Sequence, residues 1–208
     1  MKSIRNLLPL LLLLIGYNVK VFAGVITQPS NAKVVVIAAP ENIKSNYFYP
    51  GLIAEHLHTS VDSLNYYLNT KFLEQLQLQC GKTLQFVDGS DQPSYFSIQG
   101  NIEVTGEGDV AKASISKIGT KDYNQLLLES QADYVLVINQ HYFKKQEDGS
   151  MNTIFHIVSY TLFDSNQTIV STSSQNYSVM KLLPANEMVA LMKKPAGKMV
   201  QKIEKALH

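Results

Sequence analysis

Apolar residues follow two spacings in the N-terminal half of the chain. The segment Asn31–Pro40 carries a short, continuous run of mostly β-branched residues, which predicts a central strand buried on both faces. Thr83–Val87 predicts a second strand. Between them, after Pro50-Gly51, apolar residues recur every three or four positions and predict one long amphipathic helix. They are Ile53, Leu57, Val61, Leu64, Leu68, Phe72 and Leu76.

The C-terminal half predicts a short helix at Lys121–Gln131 and then a three-stranded meander. Asp148-Gly149 is a strong hairpin signal, because both residues accept the positive φ of a type I′ turn. A second turn is expected around Ser165-Asn166. The predicted strands are Tyr134–Lys145, Asn152–Phe163 and Thr168–Val179.

Two further segments have less regular patterns. Ala185–Leu207 keeps one helical phase through Pro195, which predicts a kinked helix or two helices meeting there. The pattern weakens at about 90–120. We therefore expect an insert there, and we expect it to be the least ordered part of the mature chain. It is either a hairpin turning at Gly100-Asn101 or an irregular loop.

This order of elements predicts an α+β fold. We expect a mixed sheet of about five strands, two N-terminal strands plus the meander, with helices packed on one face. The length of 208 residues suits one domain of ordinary size, and neither an internal repeat nor a low-complexity linker is visible. We therefore predict a single α/β domain over residues 24–208, with the insert at about 90–120.

The N-terminus has the layout of a secretory signal peptide. Lys2 and Arg5 precede the apolar run Leu7–Ile15, and small residues end the segment at Ala23. The run is shorter than the roughly 20 residues that a bilayer-spanning helix needs. A buried core helix is the alternative, but nearly pure leucine after a basic start disfavours it. We predict a signal peptide at 1–23 and a periplasmic or secreted protein, with no transmembrane segment after cleavage.

Removal of residues 1–23 changes the charge balance. The chain has 18 basic and 17 acidic residues, and Lys2, Arg5 and Lys20 would be lost, which leaves 15 and 17 and a net charge of −2. A near-neutral domain without a basic stripe argues against nucleic-acid binding. Cys80 is the single cysteine, so no intrachain disulfide is possible and no cysteine follows the apolar run to carry a lipid. We interpret Cys80 as a small apolar residue.

Candidate chemistry is sparse. Neither a Gly-x-Ser-x-Gly nor a His-Glu-x-x-His motif occurs, and no nucleophile–base pair can be named, so we predict no enzymatic activity and no cofactor. If Asp148-Gly149 is a two-residue loop, His141 lies opposite His156 and the pair could hold a metal or sense pH. An ordinary cross-strand pair is the alternative, because zinc sites in proteins use three or four protein ligands. Gln175, the residue expected beside His156 on the third strand, is a poor zinc ligand. Their shared face is expected to carry Val137, Val158 and Tyr160.

A second candidate site is the aromatic run Tyr47, Phe48 and Tyr49, in the loop after the first strand. Aromatic side chains dominate the energetics of protein interfaces, so these three residues are candidates for protein contact. The alternative is that two of them close the sheet edge.

Part of this pattern resembles a family of bacterial envelope domains. The short helix running into Ala132–Ile138, the strand and Asp-led turn at Phe155–Tyr177, and the amphipathic C-terminal helix ending in "IEKAL" carry the resemblance. They resemble the α/β domain shared by the curli secretion channel subunit, the lipoprotein activators of penicillin-binding proteins, and the N-terminal domain of the Tol-system propeller protein. The chain departs from that pattern by lacking a lipid-attachment cysteine, and Asn139 and Gln140 stand where a glycine is usual.

The resemblance implies an envelope domain that contacts other macromolecules without catalysis. We therefore expect an exported, non-enzymatic accessory or assembly protein of the bacterial cell envelope, with envelope proteins as partners. The alternative is a secreted small-ligand or metal-binding protein that uses the His141/His156 hairpin.

Overall fold

A computed structural model describes residues 31–46, 48–149, 151–180 and 187–207. The predicted signal peptide lies outside these residues, as do Tyr47 and the start of the predicted last helix. The main sheet contains six strands: β1 (Ala32–Ala38), β2 (Ile43–Ser45), β3 (Leu84–Asp88), β6 (Tyr134–Asp148), β7 (Met151–Phe163) and β8 (Ile169–Val179). Their order is β3-β1-β6-β7-β8, with β2 also paired to β6.

The α+β class and the mixed sheet are confirmed. β1 runs parallel to both β3 and β6, whereas β6, β7 and β8 form an antiparallel meander. The sixth strand is the short β2, which runs parallel to β6 beyond the point where β1 ends. β1 is buried on both faces, as its continuous apolar run predicts for a central strand.

Helices cover both faces of the sheet, so the expectation of one covered face is wrong. On one face lie α1 (Pro50–His56), α2 (Leu64–Gln79) and α5 (Met188–Leu207), packed on Val34 and Val36. On the other lie α3 (Tyr95–Gln99) and α4 (Thr120–Ser130), packed on Val35 and Ile37. Successive residues of a strand point to opposite faces, so β1 serves both cores.

The predicted long helix is two helices, α1 and α2. α1 ends at His56, and His58 has a φ of +52°, which breaks the helical path. The Ser63 N–H donates to Ser60 Oγ (3.1 Å), a local bond that competes with helix continuation. Val61 lies in this break and is 52% exposed, so it leaves the apolar stripe.

The segment at 90–120 is structured in full. It contains α3 and a hairpin of β4 (Glu103–Thr105) and β5 (Lys112–Ser114), with a short 3-10 helix at Gly108–Val110. The hairpin therefore does not turn at Gly100-Asn101. The segment buries five apolar side chains in the core beside α4, and this burial explains why it is ordered. They are Ile98, Ile102, Ala113, Ile115 and Ile118.

The C-terminal element is one helix, α5, with Pro195 in its interior. Met188, Met192, Met199 and Ile203 are buried, as the shared helical phase predicts. Proline has no N–H, so the carbonyl four residues earlier, that of Leu191, loses its helical donor. A side chain from β7 supplies another donor, as described below.

Candidate functional site

The two histidines singled out by sequence lie in the core, but not opposite each other. His141 pairs with Val158 and His156 pairs with Phe143, so the predicted register is wrong. The reason is the turn: Asp148 still pairs, with Met151, and the loop begins at Gly149, which has a φ of +58°. The third strand places Tyr177, not Gln175, opposite His156.

The rings nevertheless contact each other, because diagonal neighbours on adjacent strands share a face. Their centroids are 5.6 Å apart and their planes meet at 79°. A bulge between Ile138 and Gln140 decides the face of His141, because one extra residue reverses the alternation along β6. Consequently Ile138 shares the core of the histidines and Val137 lies in the opposite core, contrary to prediction.

Aromatic rings enclose both histidines. Phe72 of α2 lies edge-on to His141 at 4.5 Å, and Phe143 stacks on His156 at 4.5 Å. His156 Nδ1 donates a hydrogen bond to the Leu191 carbonyl of α5 at 3.3 Å. Both ring nitrogens of His141 and Nε2 of His156 have no hydrogen-bond partner among the described residues.

Burial fixes the charge state of the pair. It lowers the pKa of His156 to about 4, although the bond to Leu191 opposes the shift. It also lowers the pKa of His141 well below the ordinary value, and the proximity of His156 adds to this effect. Both rings are therefore neutral near pH 7, as a metal ligand must be. Within the described ranges, however, no group of three or more His, Cys, Asp or Glu side chains is placed to hold a metal ion.

The aromatic run predicted for protein contact is divided by the structure. Tyr47 lies outside the described residues. Phe48 is half-buried and contacts Phe143 edge-to-face at 5.8 Å, so it helps to close the core beside β2. Tyr49 is 77% exposed and is available to a partner.

Cys80 follows α2 and is partly buried against the core. Its thiol donates to the Gln77 carbonyl at 2.9 Å. Burial raises the pKa of this thiol, which lowers the thiolate fraction and hence its reactivity as a nucleophile. The geometry agrees with a packing role.

A cleft at the carboxyl ends of β1 and β3 is the site that the sequence did not reveal. The chain leaves β1 and reaches β3 through α1 and α2 on one face, and it reaches β6 through α3 and α4 on the other. In α/β proteins, ligands bind in the crevice at the carboxyl ends of neighbouring strands whose connections run to opposite faces of the sheet. The cleft has a volume of about 500 Å³, within the range of small-ligand pockets.

Three separate segments build most of the cleft, and Val36 of β1 and Ile138 of β6 complete its lining. The segments are the loop after β1 (38–42), the first half of α2 with the turn before it (62–73), and the end of β3 with α3 (88–99). Asn42 and Asn69 form two reciprocal amide hydrogen bonds (2.8 and 2.9 Å), which tie the first segment to the second. Gln99 Nε2 donates to the Ala38 carbonyl at 2.9 Å and so ties α3 to the end of β1.

The rim and lining of the cleft combine aromatic and polar groups. Tyr66 of α2 and Phe96 of α3 line it from the two sides of the sheet and are 60% and 77% exposed. Tyr95 is buried beside Phe96, and its hydroxyl stays protonated because burial, and to a lesser degree the charge of Asp88, raises its pKa to about 12. The base of the cleft is apolar and includes the buried residues Ala39 and Ile138. Acidic and amide side chains line much of the rest.

No known family model and no curated protein sequence matches this chain. Among solved structures, it is similar to a hypothetical protein of Chlamydia trachomatis, with 14% identity over 86% of this chain and 98% of that one, and a TM-score of 0.49. A lipoprotein of Neisseria meningitidis has 11% identity over 84% and 99%, with a TM-score of 0.36. A minor lipoprotein of Acinetobacter baumannii has 11% identity over 85% and 92%, with a TM-score of 0.34.

These similar chains are hypothetical proteins and lipoproteins of bacteria, and at such TM-scores they assign no activity, partner or location to this one. They also do not confirm the curli, activator-lipoprotein or Tol families that the sequence resembles. Within the part of the chain that the structure describes, no helix is both long and apolar enough to cross a membrane.

Proposed function

We propose that this chain is an exported accessory or assembly protein of the bacterial cell envelope, and that it acts by holding a partner protein at the cleft, without catalysis. One observation carries the proposal: Tyr66 and Phe96, two large exposed aromatic side chains, flank the same cleft. Exposed aromatics around a depression are typical of interface hot spots, because they bury much area and lose little conformational entropy.

The scaffold supports a binding role because the aromatic walls rest on fixed elements. α2 is bound to the loop after β1 by the Asn42–Asn69 amide pair. Ser94, at the start of α3, donates to the Glu129 carboxylate of α4 from its N–H (3.1 Å) and its hydroxyl (2.7 Å). A preorganised surface loses less entropy on association, which favours affinity.

The envelope location rests on the N-terminal sequence. The basic start and the apolar run Leu7–Ile15 predict export, and the element order resembles envelope domains that work through protein contacts. Within the part of the chain that the structure describes, the lining of the cleft contains no histidine, cysteine or lysine to act as base or nucleophile beside its carboxylates and hydroxyls, which favours a binding role.

Site-specific photo-crosslinking tests the proposal. A photoreactive phenylalanine analogue at position 66 or 96 should give one discrete adduct in intact cells of the source organism, with the same partner identified by mass spectrometry from both positions. The same analogue at Leu128, which is 72% exposed on α4 and away from the cleft, should not give that adduct. Equal adducts from all three positions, or none from 66 and 96, would contradict a binding role for the cleft.

A further inference from the structure

The cleft is acidic. Glu41, Asp62, Asp88 and Asp91 contribute to its lining, which includes no Lys, Arg or His within the part of the chain that the structure describes. None of these four carboxylates makes an ion pair with a described residue. Like charges gathered around one depression attract a cationic group and repel an anionic one, so the charge of the lining selects the charge of the occupant.

The aromatic rim adds a second requirement. Tyr66 and Phe96 line the cleft and are largely exposed, so a cation in the cleft can interact with their π-systems. A guanidinium group is planar, stacks on such rings and binds a carboxylate through two parallel hydrogen bonds. An ammonium group provides a point charge without stacking, so the combination of rings and carboxylates favours arginine over lysine.

We propose that the cleft receives an arginine side chain from an extended segment of the partner protein. This inference rests on the proposed function, because it names the chemistry of the partner at the same site. The apolar base at Ala39 and Ile138 suits the aliphatic part of the side chain. The carboxylates of Asp88 and Asp91, at the end of β3, then meet the guanidinium group.

Asp88 can be tested without disturbing the local backbone. Its Oδ1 accepts a hydrogen bond from the Ser90 N–H at 2.8 Å, and an asparagine oxygen can accept the same bond. Asp88→Asn therefore removes one negative charge and keeps the turn, and Asp91→Asn removes a second charge from the same lining. Asp148→Asn is the matched control, because it removes one charge from an exposed side chain at the end of β6, remote from the cleft.

The probes are two blocked pentapeptides, Ala-Ala-Arg-Ala-Ala and the same peptide with citrulline, the neutral isostere of arginine. Titrated into the isotopically labelled chain, the arginine peptide should shift amide resonances of residues 38–42, 62–70 and 88–99, saturably. The citrulline peptide should bind at least about fivefold more weakly, and so should the arginine peptide to Asp88→Asn and Asp91→Asn. Asp148→Asn should bind as the parent chain does.

Three results would overturn the inference: equal affinity for the two peptides, no saturable shifts in these segments, or tighter binding of a neutral methyl glycoside, which the amides and rings could also hold. If the crosslink from position 96 persists in Asp88→Asn/Asp91→Asn, the charge assignment is wrong while the proposed function stands. If the crosslinks from 66 and 96 are absent, the proposed function fails independently of the peptide result.

Discussion

His156 Nδ1 donates a hydrogen bond to the carbonyl oxygen of Leu191 at 3.3 Å, and this carbonyl is the one that Pro195 leaves without a helical donor. In an α-helix the N–H of residue 195 would bind the carbonyl of residue 191, but proline has no N–H. The imidazole of β7 therefore replaces a missing backbone bond of α5. The bond also fixes the tautomer, because a carbonyl oxygen accepts and Nδ1 must carry the proton.

This relationship predicts energetic coupling between positions 156 and 195. His156→Phe removes the donor and leaves the buried Leu191 carbonyl unpaired, which costs about 1–3 kcal/mol. With Pro195→Ala in the same chain, the alanine N–H can serve that carbonyl. We therefore expect His156→Phe to destabilise the Pro195→Ala background by about 1 kcal/mol less than the parent chain, measured by urea denaturation.

His141→Phe provides the control for this cycle. Neither ring nitrogen of His141 has a partner among the described residues, although the ring packs in the same core. Its effect on the free energy of unfolding should therefore add to that of Pro195→Ala. Additivity for His156→Phe as well would show that the imidazole does not substitute for the missing helical bond.

Acid should destabilise the fold through the histidine pair. The folded-state pKa of His156 is about 4, below the ordinary 6.5, so the unfolded chain binds the proton more tightly. The free energy of unfolding is thus highest above pH 6.5 and falls as the pH decreases from 6.5 towards 4. One such histidine contributes a slope of about 1.4 kcal/mol per pH unit, and His141, whose pKa is also lowered, steepens it.

Denaturant titrations at several pH values between 4 and 7.5 measure this slope. Phe72 on α2, Phe143 on β6 and the Leu191 carbonyl on α5 contact the pair and do not titrate, so the part of the slope that disappears with a histidine belongs to the pair. His141→Phe should make it shallower, and His58→Asn, at an exposed position, should not change it. A slope unaffected by His141→Phe would assign the acid sensitivity to other groups.

Zinc should leave the melting temperature unchanged. The histidine pair offers two ligands inside a core closed by Phe72 and Phe143, whereas zinc in proteins takes three or four. A bound metal at a hundredfold excess over its dissociation constant would stabilise the fold by about 2.7 kcal/mol, which a thermal shift assay detects. A rise that disappears in His141→Ala but persists in His58→Asn would instead support the metal-binding alternative.

Local patterns predicted most of the strands and the C-terminal helix, but they missed β2 and the break between α1 and α2. Contacts between residues distant in sequence decided the rest of the fold. The β-branched run of β1 forms the central strand that it predicts, and Asp148-Gly149 marks a hairpin as predicted, although the loop begins one residue later and the register differs. The bulge at Asn139 is different: its amide donates to the Ala111 carbonyl (2.9 Å) and accepts from Thr161 Oγ1 (3.1 Å), both distant in sequence. One inserted residue there determines which core His141 enters.

The cleft could not be predicted for the same reason. Its three segments lie far apart in the chain and meet only because β1 pairs with β3 on one side and with β6 on the other. A weak signal was present, since Asp88 and Asp91 directly follow the predicted strand Thr83–Val87. Without the strand order, nothing indicated that they would meet Tyr66 across an opening.

Replacement of a glycine at the edge of the cleft should destabilise the fold. Gly89 follows β3, and its N–H donates to the Val36 carbonyl at 2.9 Å. A Cβ at this position would lie 2.6 Å from that same oxygen, so the backbone of β1 or β3 would have to move. Gly89→Ala should therefore lower the free energy of unfolding by about 1–3 kcal/mol in urea denaturation.

Gly51→Ala is the matched control for this substitution, and it should change stability in the opposite direction. Gly51 lies in α1, where an added methyl group would meet no atom within 4 Å, and alanine favours a helix over glycine by about 1 kcal/mol. Because Gly89 lies between the cleft residues Asp88 and Ser90, Gly89→Ala should also weaken binding of the arginine peptide, whereas Gly51→Ala should not. A Gly89→Ala variant as stable as the parent chain would mean that β1 and β3 can separate at this end without cost, and the cleft would then not be a preorganised site.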